Sequence, residues 1–110
     1  MAGKQDLRHV VSDAPRVMVV DGSRLVRKLI GDTLLRELPG AQVIACAGIA
    51  EARAILADGP VDLVTTALVL PDGDGLVLAR SVRQAAGQAY VPVIVVSGNH
   101  DPFFVQTYIL

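Results

Sequence analysis

The sequence is poor in the features that would mark secreted, membrane or metal-cluster proteins. It has a single cysteine, Cys46, in 110 residues, which excludes an internal disulfide framework and any cysteine-cluster metal site. No apolar run reaches the roughly 18 residues that span a bilayer, and the first fifteen residues lack the apolar centre of a signal peptide. The formal net charge of −1 gives no electrostatic case for nucleic acid or an anionic membrane. We therefore expect a cytoplasmic protein that binds neither nucleic acid nor a membrane.

Aromatic residues are also scarce, at 4% of a chain that is 52% apolar, so the core must be aliphatic. After a polar lead-in, Met1–Pro15, which we expect to be flexible, short apolar runs alternate with segments of helical periodicity. This alternation predicts one α/β domain with a doubly wound parallel sheet covered on both faces. The predicted strands are Arg16–Val20, Gln42–Ala47, Leu63–Leu70 and Val91–Val96, and the predicted helices are Val26–Leu38, Ile49–Ala57, Leu76–Gln84 and a last one beginning in Phe103–Leu110.

The carboxyl ends of these strands are where an α/β domain forms its sites. The third strand ends in Thr65, Thr66, Ala67 and Leu68, with no acid among them. Asp21 follows the first strand, where a carboxylate either helps to hold a cation or favours the N-terminus of the next helix through the helix dipole. A magnesium site needs further carboxylates or a phosphate, so the helix role is the simpler interpretation.

Other polar residues near the strand ends have ordinary structural explanations. The stretch from Asp72 to Gly75, DGDG, is half of a calcium loop without its remaining acids, so a solvated turn is the default. Ser97 follows the fourth strand, where a hydroxyl either binds an anion or forms a turn. Cys46 is predicted to be a small apolar strand residue. His9 and His100 have no partner at a recognisable spacing, so we assign them no catalytic role.

Three stretches together resemble the receiver domain of two-component response regulators: VMVVDGSRLVRKLI, VDLVTTALVLPDGDG and VPVIVVSGN. The resemblance runs from Arg16 to Leu110 and includes the loop residues Pro71, Asp74 and Gly75. It implies a flavodoxin-like fold with strand order 2-1-3-4-5. Because the family's fifth strand, lysine and last helix would lie beyond Leu110, we expect order 2-1-3-4 in a domain truncated at its C-terminal end.

A typical member of that family carries a phosphoryl group on an aspartate at the end of the third strand, beside a magnesium ion. Carried over onto this chain, the acceptor position falls on Ala67, and the pair of acids after the first strand falls on Asp21 and Gly22. The family's hydroxyl residue is retained as Ser97. Ala67 has only a methyl group, which cannot form an acyl phosphate, and one carboxylate is a poor cage for magnesium.

The resemblance therefore implies a non-enzymatic, phosphorylation-independent signalling module, or pseudo-receiver, that acts through protein contacts. We expect weak or no magnesium binding and no other cofactor. The partners would be further copies of the chain or a covalently linked output domain. The alternative is a phospho-accepting or magnesium-binding receiver that uses a displaced acid, Asp72 or Asp74.

The predicted strand order would leave Val91–Val96 as an open, uncharged edge, which invites pairing with another strand. We therefore expect that the chain either self-associates, for example as a dimer, through this edge and the last helix, or is a fragment whose missing part normally covers both. The residues of this predicted surface are Val91, Val93, Val95, Phe103, Phe104 and Tyr108.

Overall fold

The computed structural model describes residues 14–85 and 87–96, together with the backbone of residues 105–108. Strands and helices alternate as far as the third helix, as the sequence predicts. The elements in chain order are β1 (Arg16–Val20), α1 (Arg24–Glu37), β2 (Gln42–Cys46), α2 (Ile49–Asp58), β3 (Leu63–Ala67), β4 (Val69–Leu70), β5 (Gly73–Asp74), α3 (Gly75–Gln84), β6 (Val93–Val96) and β7 (Val105–Tyr108).

The main sheet has the strand order β2-β1-β3-β6-β7. Its first four strands are parallel, and Val19 of β1 lies between Ala45 of β2 and Thr65 of β3. Thr65 in turn pairs with Ile94 of β6. Since β6 is the fourth predicted strand, the predicted order 2-1-3-4 and the flavodoxin-like class are confirmed. The separate antiparallel pair β4–β5 shortens the third predicted strand, which ends at Ala67 instead of Leu70.

The main core is aliphatic and lies between the sheet and the helices α2 and α3. Met18, Val64 and Val93 from three neighbouring strands are fully buried there against residues of both helices. Burying each such side chain contributes about 1.5–3 kcal/mol to folding. The absence of aromatic residues from this cluster agrees with the aliphatic core that the composition predicts.

Helix α1 covers the opposite face of the sheet and is less buried than its periodicity suggests. Ser23 caps it by accepting a hydrogen bond from the Val26 amide at 3.3 Å. Its only fully buried residue is Gly31. Leu29 lies within the predicted helix Val26–Leu38 but is 57% exposed, and Leu25 is 66% exposed. The apolar residues of α1 are therefore only partly used for packing within the described chain.

The end of the chain differs from the prediction. We expected a helix within Phe103–Leu110, but Val105–Tyr108 forms the strand β7, antiparallel to β6. The two strands are joined only by residues 97–104, whereas a parallel neighbour needs a crossover of about a dozen residues or more. The short connection favours an antiparallel return, and the helix prediction is wrong for these four residues.

This strand also corrects the predicted open edge at Val91–Val96. β6 lies between β3 and β7, so its backbone is paired on both sides. Val93 and Val95 are buried and Val91 is half-buried, which makes them unsuitable as an accessible edge. Phe103 and Phe104 lie outside the described residues, and Tyr108 is described only by its backbone.

Most of the lead-in Met1–Pro15, the two histidines and Ser97 lie outside the described residues. Within the described ranges, no helix combines the length and the apolar character that a transmembrane segment requires.

Candidate functional site

The predicted site positions lie at the carboxyl edge of the parallel sheet. Asp21 directly follows β1, and Ala67 is the last residue of the neighbouring strand β3. Gly22 follows Asp21 and lies against the loop that leaves β3. We call Asp21, Gly22 and Ala67 the carboxyl-edge site. The fourth predicted member, Ser97, follows β6 but lies outside the described residues.

Asp21 is held by backbone contacts at the entrance to α1. Its amide donates to the Cys46 carbonyl at 3.1 Å, and its Oδ1 accepts from the Ser23 amide at 2.8 Å. The Arg27 guanidinium, one turn into the helix, donates to the Asp21 carbonyl at 2.6 Å. The Asp21 carboxylate thus organises the turn before α1, which is the structural role that the sequence favours.

Gly22 leaves no space for a side chain without movement of the loop. A Cβ placed on Gly22 would lie 3.0 Å from Cγ and 3.1 Å from Cδ of Pro71. The proline ring therefore packs where a side chain at position 22 would begin. An acid at this position requires Pro71 to shift by a few tenths of an ångström.

The backbone at Ala67 is closely packed against the start of α3. The Gly75 amide donates to the Leu68 carbonyl at 2.8 Å, and the Thr66 hydroxyl donates to the Ala67 carbonyl at 2.9 Å. A Cβ on Gly75 would lie only 2.1 Å from the Ala67 carbonyl oxygen. Gly75 is therefore required for α3 to begin this close to the end of β3.

Asp72 caps a helix that is distant in sequence. Its two carboxylate oxygens accept from the amides of Ile49, at 2.8 Å, and Ala50, at 3.0 Å, at the N-terminus of α2. These hydrogen bonds lower the pKa of Asp72. Gly48, the N-cap residue, forms no side-chain cap, and a Cβ there would lie 2.5 Å from Asp72 Oδ1. Glycine has no side chain with which to cap α2, so Gly48 was the signal in the sequence that another residue caps this helix. The spacing of the acids did not identify Asp72 as that residue.

Asp74 serves the other end of the same loop. It is the N-cap residue of α3, and its Oδ1 accepts from the Leu76 amide at 2.7 Å. The loop that resembles half of a calcium site therefore directs both of its carboxylates at backbone amides. In the described part of the chain, no group of three acidic, histidine or cysteine side chains is placed to hold a metal ion.

Cys46 lies beneath this edge and is 1% exposed. Burial raises the pKa of its thiol, Glu51 raises it further, and the nearby Arg27 opposes the shift. The prediction that Cys46 is a small apolar strand residue is confirmed, since Cys46 is the last residue of β2 and packs in the main core cluster.

The sequence matches one protein family and is similar to regulatory proteins of two bacteria. The family model described as response regulator receiver domain matches residues 17–109. The chain is 31% identical over 96 residues to the sensor histidine kinase TmoS of Ectopseudomonas mendocina, which covers 87% of this chain and 10% of that protein. It is 34% identical over 86 residues to the response regulator protein PilR of Pseudomonas aeruginosa, which covers 78% of this chain and 19% of that protein. The chain thus spans less than a fifth of either relative.

Solved structures show the same fold. A response regulator receiver protein from Pseudomonas putida superposes with a TM-score of 0.66 at 32% identity, covering 80% of this chain and 71% of that one. The chemotaxis response regulator CheY4 of Vibrio cholerae superposes with a TM-score of 0.71 at 22% identity, covering 81% and 72%. The second likeness shows the fold alone.

Proposed function

The chain belongs to the response regulator receiver domain family, and from this premise we propose that it is a pseudo-receiver, which signals through protein contacts without being phosphorylated. The observation that carries the proposal is Ala67 at the carboxyl end of β3. By resemblance, this is the position of the family's phospho-acceptor. A methyl group offers no nucleophile for an acyl phosphate, so phosphoryl transfer to this position is chemically impossible.

The neighbouring residues support weak or absent magnesium binding. Position 22 carries no carboxylate, and the Pro71 ring lies 3.0 Å from where a Cβ at this position would be. Asp21 is left as one acid, and it already accepts a hydrogen bond from the Ser23 amide. Mg²⁺ demands near-octahedral oxygen coordination, to which a single carboxylate contributes little unless a phosphate is also bound.

The alternative acceptors, Asp72 and Asp74, are engaged elsewhere. Both oxygens of Asp72 accept backbone hydrogen bonds from α2, and Asp74 caps α3. Phosphorylation of Asp72 would turn one of these oxygens into the bridging oxygen of an acyl phosphate and would remove the carboxylate charge that strengthens both hydrogen bonds at the cap of α2. These contacts favour the pseudo-receiver over a receiver with a displaced acceptor.

We propose that the partner is another protein or an output domain in the same polypeptide, in the cytoplasm. The relatives TmoS and PilR are far longer than the segment they share with this chain, which is consistent with a module in a larger regulator. The net charge of −1 supports a protein partner over direct nucleic-acid binding.

Phosphorylation assays test this proposal directly. The protein is incubated with acetyl phosphate and magnesium, and separately with beryllofluoride and magnesium, and is followed by intact mass and by NMR amide shifts. We expect no added phosphoryl group and no beryllofluoride-dependent shifts around Ala67. A magnesium titration without phosphodonor should leave the amides of Asp21 and Gly22 unmoved.

The single variants Asp72→Asn and Asp74→Asn distinguish the alternative. A phosphoryl group that appears on the wild-type protein and is lost in one of these variants would refute the pseudo-receiver. Asp62→Asn is the matched control, because Asp62 lies at the opposite end of β3 and accepts from the Arg16 amide.

A further inference from the structure

Among the described residues, β2 is an edge strand that lacks the charges, prolines and bulges that usually prevent pairing with another strand. Its sequence, QVIAC, contains no charged residue and no proline. It pairs with β1 over five consecutive residues without a bulge. Natural edge strands are commonly shielded by charges, prolines or bulges, so an uncharged regular edge is a candidate for strand addition.

The hydrogen bonds of β2 show which backbone groups face outward. The Gln42 amide donates to the Pro15 carbonyl at 2.8 Å, and the Cys46 carbonyl accepts from the Asp21 amide at 3.1 Å. Because alternate residues of an edge strand face its neighbour, Gln42, Ile44 and Cys46 bond towards β1. The amides and carbonyls of Val43 and Ala45 therefore point away from the sheet.

The outward-facing segment is bounded on both sides. The Ala41 amide donates to the Leu38 carbonyl at 3.0 Å, and the Ala47 amide donates to Glu51 Oε2 at 2.8 Å. In the described chain, no hydrogen bond is recorded that uses the outward groups of Val43 or Ala45. The edge thus presents two adjacent donor–acceptor pairs, which is the pattern that an antiparallel strand of the same length completes.

The helix beside this edge also has an uncovered side. Gly31 of α1 packs over β2, where its Cβ position is 3.4 Å from Val43 Cγ1. Leu35 lies one turn further along the same side and is 44% exposed. Lys28, one turn earlier, pairs with Asp32 at 3.0 Å. This side of α1 therefore combines an exposed leucine with charges of both signs.

We propose that β2 pairs antiparallel with β2 of a second copy of this chain, about a two-fold axis at Ile44. This register places Val43 opposite Ala45 of the second copy and forms four backbone hydrogen bonds. The two-fold axis then places the two α1 helices antiparallel on the same face of the joined sheet.

Self-complementarity identifies the second copy as the occupant. A two-fold contact requires one surface to match itself. Because the two α1 helices are antiparallel, Lys28 of one copy is directed towards Asp32 of the second copy, and the reverse also holds. The contact uses no residue of the carboxyl-edge site, so the outcome of the dimerisation experiment is independent of the outcome of the phosphorylation assays.

Sedimentation equilibrium and light scattering across a concentration series test the proposal. We expect a reversible monomer–dimer equilibrium for the wild-type protein. Ala45→Pro removes the outward-facing amide donor of residue 45 and leaves the hydrogen bonds between β2 and β1 intact. Proline is tolerated on an edge strand where its nitrogen faces solvent. The substitution deletes two of the four hydrogen bonds and should weaken the dimer at least about tenfold.

Ala45→Lys is a second test variant, because it adds charge to the edge while leaving the backbone intact. Ala54→Lys is the matched control, since Ala54 is also an exposed alanine but lies on α2. It should dimerise like the wild type. In a Cys46→Ala background, mixing Val43→Cys with Ala45→Cys should give a disulfide-linked heterodimer, while Ala45→Cys alone should give little. A wild-type protein that stays monomeric, or a dimer that both Ala45 variants leave unchanged, would overturn the proposal.

Discussion

Replacing Gly75 by alanine should destabilise the domain strongly, although only one methyl group is added. The new Cβ would lie 2.1 Å from the Ala67 carbonyl oxygen and 3.1 Å from the Thr66 hydroxyl oxygen. The nearer atom belongs to the backbone of a central strand, so α3 must move away from β3. That movement breaks the 2.8 Å hydrogen bond from the Gly75 amide to the Leu68 carbonyl.

The expected loss follows from these two effects. Overpacking costs about 1–3 kcal/mol, and a lost hydrogen bond costs about 1 kcal/mol more. Together they lower the free energy of unfolding by about 2–4 kcal/mol, which is a large part of the roughly 5–15 kcal/mol typical of small domains. The corresponding drop in Tm is roughly 10–25 °C for a domain of this size.

Urea denaturation and thermal melting measure the effect, and Gly31→Ala provides a matched control. The Gly31 Cβ position is 3.4 Å from Val43 Cγ1, which is ordinary contact, and Gly31 lies within a helix. Alanine there should be neutral or stabilising by up to about 1 kcal/mol. Equal stability of Gly75→Ala and the wild type, or equal damage by both substitutions, would refute the packing argument.

Three further predictions concern the residues around the carboxyl-edge site. The backbone hydrogen bonds lower the pKa of Asp72 from its ordinary value of 3.8, so its contribution to stability is present above that value and is lost as the pH falls through the lowered pKa. Urea midpoints between pH 7 and pH 3 should therefore decline less steeply in Asp72→Asn than in the wild type; parallel profiles would contradict this. Cys46 is buried with a raised pKa, so a thiol reagent should modify it only as fast as the protein unfolds; rapid labelling of the native protein would show the opposite. Ala67→Asp alone should restore little phosphorylation by acetyl phosphate, whereas Gly22→Asp combined with Ala67→Asp should restore more, and the two effects should be non-additive. The double variant should also lose some stability because the new side chain at position 22 meets Pro71. Full phosphorylation of the Ala67→Asp single variant would disprove the role given to Gly22.

The parallel part of the sheet was predictable because each strand is a local apolar run. Arg16–Val20 became β1 without change, and Gln42–Ala47 lost only its last residue. The helix α1 was predictable to within two residues at either end, since Val26–Leu38 became Arg24–Glu37. Periodicity was less informative about burial, because the exposure of Leu29 depends on which neighbouring elements cover α1.

Features that depend on distant contacts were not predictable. The tie between Asp72 and the N-terminus of α2 joins two loops that are far apart in sequence. The strand β7 was mistaken for a helix because its pattern is short and its pairing with β6 is a tertiary contact. For the carboxyl-edge site, the sequence identified the positions of Asp21 and Ala67 at the strand ends, while the packing of Pro71 on Gly22 required the structure.

The antiparallel return of β7 also bears on how the domain folds. The segment between β1 and β2 contains one helix and the segment between β1 and β3 contains two, so forming these parallel pairs must overcome the entropy of closing long loops. β6 and β7 are joined only by residues 97–104, and such a hairpin can form within microseconds. Early pairing would shield the uncharged β6 from intermolecular contacts while the slower parallel contacts are still being made. We therefore expect β7 to act as an intramolecular protecting strand for β6 during folding.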